Sequence, residues 1–331
     1  MRTFALLYNL SCGTSLRAQT RLQRLRLAFR ARGVELHPYF TSTPRCASAV
    51  VRAAIATDCE AVLAAGGDGT LNELLQAAMR HPDSLPIGIV PFGSGNVLSH
   101  DIGLSGGLAR IAQELVGSTP TKVPVGMLSS RLPDGATVSR YFTVAAGIGA
   151  DARVICGVNL AWKKRFGIGA YYAEATRQLL FPSAPLPFFR VHFTDVQSGE
   201  RREETVSQVI VERVGYFSRP LIAKNETAPL TSHVFRLILF KTRNRTTYIR
   251  YGLQLLARRF NGPSWPIGNV EVVQATSATC ELLPGATGTD VFTEVDGEPV
   301  GGLPAEVTLI PQGIRLLMPK SQREPNCAIA V

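Results

Sequence analysis

Apolar positions in the first third of the chain follow two rhythms. Short continuous runs, Phe4 to Tyr8, Val34 to Phe40, Ala61 to Ala65 and Ile87 to Val90, have the length and composition of strands buried on both faces. Between them the apolar residues recur at helical spacing: Leu22, Leu25 and Phe29, then Ala47, Val50, Val51 and Ala54, then Leu71, Leu74, Leu75 and Ala78. Strands alternating with helices predict an α/β domain with a parallel sheet over residues 1–121.

From about Lys122 the texture changes to short β-rich segments broken by Gly, Pro and Asp. The candidates are Tyr141 to Ala145, Phe188 to Phe193, Val206 to Val211, Val234 to Phe240, Val270 to Val273, Val291 to Val295, Val307 to Ile310 and Ile314 to Met318. Helical stretches interrupt them around Trp162 to Leu180 and Thr246 to Phe260. The pattern predicts a β-sandwich-like second domain over 122–310, with 311–331 as a C-terminal segment able to return to the first domain. No internal repeat or low-complexity tract interrupts this order.

Composition narrows the partners. A chain of 331 residues, 45% hydrophobic, is long enough for two packed cores, which argues against extensive disorder. Its formal charge of +10 points to an anionic partner, whether nucleotide phosphates, anionic lipid headgroups or nucleic acid, without choosing among them. The basic residues carry no nucleic-acid motif or aromatic platform, so no nucleic-acid partner is expected. The six cysteines lack CxxC pairs and metal-ligand spacing, and read as reduced thiols of a cytoplasmic protein. The run from Phe4 to Leu10 is short for an export signal, and no stretch of about 18 apolar residues is present, so any membrane contact is expected from the inner surface.

Two Gly-rich loops carry the candidate chemistry. Gly66-Gly67-Asp68-Gly69-Thr70 follows a buried strand and opens the helix that begins near Leu71. There, glycines admit a phosphate close to the backbone, and the N–H groups and dipole of the helix start favour negative charge. Pro91-Phe92-Gly93-Ser94-Gly95-Asn96 follows the next strand, so in a parallel sheet both loops emerge at the carboxyl edge. Late in the chain, Asp296-Gly297-Glu298 follows the segment Val291 to Val295 and by spacing alone is a hairpin turn.

With these segments in this order, the chain resembles the diacylglycerol kinase catalytic family, which includes bacterial lipid kinases and the sphingosine and ceramide kinases. The resemblance rests on Gly66 to Thr70 followed by Leu71-Asn72-Glu73, on Pro91 to Asn96, and on Asp296-Gly297-Glu298. Ala146 to Ala152, and Lys164 with Gly167, Gly169, Ala170 and Tyr171, also resemble family segments near the substrate cleft. It implies a Rossmann-like nucleotide domain of the NAD-kinase and diacylglycerol-kinase kind, with ATP as co-substrate and Mg²⁺ as cofactor. It further implies nucleotide contacts from Asn9, Thr41, Gly66, Gly67, Asp68, Gly69, Thr70, Asn72, Glu73, Gly93, Ser94, Gly95 and Asn96. Glu298 becomes the proton acceptor from a lipid hydroxyl, and Asp68 is the other candidate carboxylate, either holding Mg²⁺ through water or helping to orient the acceptor.

The expected acceptor is diacylglycerol or a related amphiphilic alcohol at a membrane surface, where anionic lipids can attract the basic protein. A mixed basic and apolar stretch, Arg243 to Arg259, is compatible with an interfacial helix, but a core-packed helix with a solvated arginine face is the simpler reading. Departures from the family pattern are Leu10 where proline is usual, Val97 and Pro124 where aspartates are common, Glu212-Arg213 in place of an asparagine, and Leu230-Thr231-Ser232-His233 without the Asp-Gly of a second-domain metal site. The departures at Val97, Pro124 and the missing Asp-Gly keep open a nucleotide- or lipid-binding protein on a degenerate kinase fold, and the loop Gly66 to Thr70, of a type shared with NAD kinases, keeps open an NAD-kinase-like enzyme.

Overall fold

The computed structural model describes residues 2–9, 15–41, 46–81, 85–159, 162, 167–180, 185–218, 221, 229–257, 267–285 and 291–319. The chain divides into two compact units, Met1–Val123 with Gln312–Val331, and Pro124–Pro311.

In the first unit, β1 (Arg2–Asn9), β2 (Val34–Thr41), β3 (Ala61–Gly66) and β4 (Ile87–Pro91) pair in parallel in the order β2-β1-β3-β4. β3 is buried at every position, which is why its sequence is a continuous apolar run rather than an alternation. The connecting helices are α1 (Ser15–Arg30), α2 (Ala47–Ala56) and α3 (Asp68–Ala78), followed by the short α4 (Val97–Asp101) and by α5 (Leu108–Val116). The three apolar stripes read from the sequence, Leu22-Leu25-Phe29, Ala47-Val50-Val51-Ala54 and Leu71-Leu74-Leu75-Ala78, are all buried.

β5 (Thr119–Arg131) leads into the second unit, where the remaining elements follow as β6 (Thr137–Phe142), β7 (Ala145–Gly149), α6 (Ala150–Gly157), α7 (Ile168–Leu180), β8 (Phe189–Thr194), β9 (Arg201–Val206), β10 (Gln208–Glu212) and β11 (Phe235–Phe240). After them come α8 (Arg245–Ala257), β12 (Val270–Ala275), β13 (Ser277–Leu282), β14 (Phe292–Val295) and β15 (Glu298–Met318). An antiparallel path runs β12-β11-β10-β7-β14-β15, and β8 joins β9 to β13. Alternate residues of these strands, among them Phe142, Ile148, Phe189, Val209, Leu237, Val295 and Val307, meet in one apolar core.

Several boundaries differ from the apolar runs, for visible reasons. The run Tyr141 to Ala145 breaks after Phe142 because the N–H groups of Thr143, Val144 and Ala145 turn to the Asp296 carboxylate. Val206 to Val211 is two strands parted at Ser207, whose N–H donates to Phe240 O (2.9 Å) and whose hydroxyl meets Tyr248 Oη (2.7 Å). Val307 to Ile310 and Ile314 to Met318 are one strand, β15, with Pro311 between them; its end lies beside β4, Leu316 facing Ile87. Among the described residues no helix is long and apolar enough to cross a membrane.

Candidate active site

The carboxyl ends of the four parallel strands form one edge. Asn9 lies opposite Thr41, Tyr8 opposite Ala65, and Gly66 opposite Pro91. The connection from β1 leads to β2 on one side and that from β3 leads to β4 on the other, so they diverge between β1 and β3; that switch point is where open α/β sheets bind ligands. Asn9 Nδ2 donates to Thr70 Oγ1 (3.1 Å), tying the end of β1 to the first turn of α3, and Thr41 is buried at the end of β2.

The two Gly-rich loops touch backbone to backbone. Gly66 O accepts from Phe92 N (2.8 Å) and Gly93 N (3.2 Å), and a Cβ placed on Gly93 would lie 2.4 Å from Gly67 Cα. Only residues without side chains allow that approach. The second loop is closed by Asn96, in the left-handed region at φ 50°, whose Oδ1 accepts from Gly93 N (3.0 Å) and whose Nδ2 donates to Gly93 O (2.6 Å). The Phe92 ring is held by Tyr8 at 5.9 Å and by the Arg21 guanidinium at 4.9 Å.

Asp68 joins the loops. Its Oδ1 accepts from Val97 N (2.9 Å), so this carboxylate serves as the anion at the start of α4. Burial pushes the Asp68 pKa up, while N–H groups of Val97, Leu98 and Asn96 pull the other way. The start of α3 differs: its cap is Gly67, which offers no side-chain acceptor to the first turn. Gly69 is half-buried in that turn, Thr70 and Asn72 are buried, and Asn72 Oδ1 accepts from Gln76 Nε2 (3.2 Å). Glu73 and Gly95 are half-buried, and Ser94 is exposed at the loop tip.

In the second unit, Asp296 (φ 47°) and Gly297 (φ 82°) form the two-residue turn between β14 and β15, with Val295 facing Glu298 across it. Both turn positions require positive φ, which Asp tolerates and Gly adopts freely. The Asp296 carboxylate accepts from Thr143 N (3.2 Å), Val144 N (3.0 Å) and Ala145 N (3.1 Å), while Asp296 N donates to Ala145 O (2.9 Å). Gly297 O accepts from Tyr171 Oη (3.2 Å), and Glu298 is exposed as the first residue of β15. The turn is therefore braced at both of the residues that precede Glu298.

A buried carboxyl pair that the sequence reading missed lies behind this turn. Glu294 is 3% exposed and its Oε2 accepts from Gly297 N (2.8 Å). A Cβ placed on Gly147 would lie 2.7 Å from Glu294 Oε1 and 2.8 Å from Asp151 Oδ2, so the two acids converge on one glycine. Burial, reinforced by Asp151, pushes Glu294 well above the usual carboxylate range, and burial pushes Asp151 up to about 6. Both acids bind protons more tightly folded than unfolded, so stability falls as pH rises from the ordinary carboxylate range through about 6 and beyond. Glu294→Gln keeps an acceptor for Gly297 N and removes one buried charge. Its melting temperature is expected to exceed the wild type's by roughly 2–4 °C at pH 8, corresponding to about 1 kcal/mol, with the gap closing toward pH 4.5 in thermal scans.

Comparison with known proteins names the domain that holds these loops. The family model for the diacylglycerol kinase catalytic domain matches residues 3–128, the stretch that holds β1 to β4 and both Gly-rich loops. Residues 3–128 are thus a diacylglycerol kinase catalytic domain. With that domain the chain is a phosphotransferase of the lipid-kinase kind. It is 26% identical over 299 residues to a diacylglycerol kinase of Mycobacterium tuberculosis, covering 87% of this chain and 86% of that one. It is 28% identical over 147 residues to a diacylglycerol kinase of Staphylococcus carnosus, covering 44% and 45%. A solved structure of a diacylglycerol kinase from Bacillus anthracis superposes with a TM-score of 0.64 at 15% identity, over 97% of this chain and 98% of that one, which shows the shared fold.

Within the family, the departures in this chain acquire local explanations. Val97 contributes its backbone N–H to Asp68 rather than a carboxylate. Pro124 keeps its carbonyl available, and Arg213 uses it: the guanidinium donates to Pro124 O (3.2 Å), Leu230 O (2.6 Å) and Val234 O, a cation spanning the segment without Asp-Gly. Glu212 is buried, accepts from Phe217 N and Ser218 N (3.0 Å), and pairs with Arg236 at 3.4 Å. Among the described residues no three His, Cys, Asp or Glu side chains cluster as metal ligands. A magnesium ion held chiefly by phosphates and water would meet Asp68 through its second oxygen, since Oδ1 is engaged by Val97 N. Leu10 and the residues that follow it to Gly13, Lys164, Arg258 and Arg259 lie outside the described residues.

Proposed function

We propose that this enzyme transfers the γ-phosphate of ATP to a lipid hydroxyl, with diacylglycerol ahead of sphingoid bases, ceramide and other amphiphilic alcohols. The observation that carries the reading is the contact between the two Gly-rich loops at the carboxyl edge of β1 to β4, where Gly67 meets Gly93 and Asp68 meets Val97. On this reading residues 1–121 are a Rossmann-like nucleotide domain. Gly66, Gly67, Gly69 and Thr70 receive phosphates at the uncapped start of α3; Gly93, Ser94, Gly95 and Asn96 close over them; Asn9, Thr41, Asn72 and Glu73 complete the nucleotide site.

Residues 122–310, a β-sandwich-like domain, take the lipid. Glu298 accepts the proton of the acceptor hydroxyl as its oxygen bonds to the γ-phosphorus, and the bond to the β,γ-bridging oxygen breaks to release ADP. Magnesium, when bound, neutralises phosphate charge, and Asp68 would hold it through water. The enzyme works at the cytoplasmic membrane surface, where its acceptor resides.

Transfer of label from ATP to a panel of diacylglycerol, sphingosine, ceramide and NAD, in mixed micelles with Mg²⁺, tests this. Labelled diacylglycerol phosphate is the expected product. Labelled NADP would replace the reading with an NAD kinase, and ATP binding without transfer to any acceptor would leave a binding protein on a kinase fold.

A further inference from the structure

Helix α8 is amphipathic the wrong way round for a helix on a water-soluble surface. Its inward side carries Thr247, Tyr251 and Gln254, at 7%, 6% and 5% exposure, whereas Ile249, Leu253 and Leu256 are 42%, 59% and 38% exposed. The exposed trio falls at i, i+4 and i+7, which is one face of a helix. The roll of the helix is fixed from inside. Tyr248 stacks on Phe240 at 5.0 Å and bonds Ser207 Oγ (2.7 Å), while Tyr251 meets the same ring edge-on at 5.1 Å and donates to Phe217 O (3.1 Å). Turning the leucines inward would forfeit these contacts.

At 100° per residue, Arg245 and Arg250 fall on opposite flanks of the apolar face, and both are exposed. Residues 245–257 include no Asp or Glu, and the whole chain carries +10. An apolar ridge between arginines complements a surface that is negative at headgroup depth and apolar beneath it. A second copy of the chain fits poorly. Symmetric pairing of this face would set its arginines against their own copies with no acid to neutralise them, and three partly exposed side chains fall far short of the roughly 800 Å² per partner that a stable dimer buries.

We propose that the Ile249-Leu253-Leu256 face of α8, flanked by Arg245 and Arg250, docks the protein on anionic lipid bilayers. The proposal rests on the lipid-kinase reading for its purpose but not for its test, because binding is measured without turnover. The full chain is sedimented with vesicles of phosphatidylcholine alone or of phosphatidylcholine mixed with phosphatidylglycerol. Wild type is expected to bind the mixed vesicles and to bind phosphatidylcholine weakly. The triple variant Ile249→Gln, Leu253→Gln, Leu256→Gln is expected to lose at least tenfold in vesicle affinity, and Arg245→Gln and Arg250→Gln about fivefold each.

Circular dichroism confirms that the variants fold, and phosphorylation of a short-chain, monomeric diacylglycerol is expected to be unchanged. Vesicle binding without kinase activity would leave docking standing and remove the kinase reading. Wild type that ignores both vesicles, or a triple variant that binds as well as wild type, overturns docking. So does a wild-type dimer, seen by light scattering, that the triple variant dissolves, since the occupant would then be a second copy.

Discussion

Gly93→Ala is expected to lower ATP affinity by at least tenfold and to abolish efficient phosphate transfer, although it adds a single methyl group. The added Cβ would stand 2.4 Å from Gly67 Cα and 2.9 Å from Asn96 Oδ1. The first of these neighbours is backbone, so no rotamer relieves the overlap; the loops must part. Parting them strains the bonds from Phe92 N and Gly93 N to Gly66 O and the Asp68 to Val97 cap, all of which depend on the same approach. Overpacking of this kind costs about 1–3 kcal/mol, so the melting temperature should fall by several degrees as well. Gly252→Ala is the control: it sits in helix α8 with nothing within 4 Å of its new Cβ, and should leave ATP affinity unchanged while stabilising the helix slightly. Calorimetric ATP binding to the two variants decides the matter, and wild-type affinity in Gly93→Ala would show that loop contact does not shape the nucleotide site.

The parts of this architecture that were legible in the sequence are those whose information is local. Continuous apolar runs marked β1 to β4, and helical stripes marked α1 to α3, because burial on both faces or on one face writes directly into periodicity. The two Gly-rich loops could be found from their place after strands. What escaped was information held between distant residues. Asp68 caps a helix that starts 29 residues later, and nothing near Asp68 announces the partner. The Glu294 and Asp151 pair is similar, although an acid inside the strand-like segment Val291 to Val295 was a signal that could have been weighed. β5 and β15 were missed or divided because prolines, Pro124 in the one and Pro311 in the other, read as strand breakers when a strand's pairing is unknown. Helix α8 was visible as a helix, but the simpler reading placed its leucines in the core, and only the ring contacts of Tyr248 and Tyr251 reverse that orientation.

Glu298→Gln should reduce kcat by about 10²- to 10⁴-fold while ATP affinity and thermal stability stay near wild type. The substitution is isosteric, and its carbonyl oxygen can still accept a hydrogen bond, but an amide cannot take the acceptor's proton. Stability should hold because the turn's conformation is set elsewhere: the Asp296 carboxylate takes three backbone N–H groups of residues 143–145, and Gly297 N is held by Glu294 Oε2 (2.8 Å). That bracing also separates the roles of neighbouring acids. Asp296→Ala should lower activity by displacing Glu298 and should cost stability at the same time, since three buried N–H groups lose their acceptor. Asp68→Asn, which retains an oxygen for Val97 N, should fold normally and shift the magnesium dependence instead. Steady-state kinetics on a micellar diacylglycerol, with melting curves on the same preparations, distinguish these patterns. A Glu298→Gln enzyme within a few-fold of wild-type kcat would remove Glu298 as the base, and Glu294, buried behind the turn, could not replace it without the turn opening.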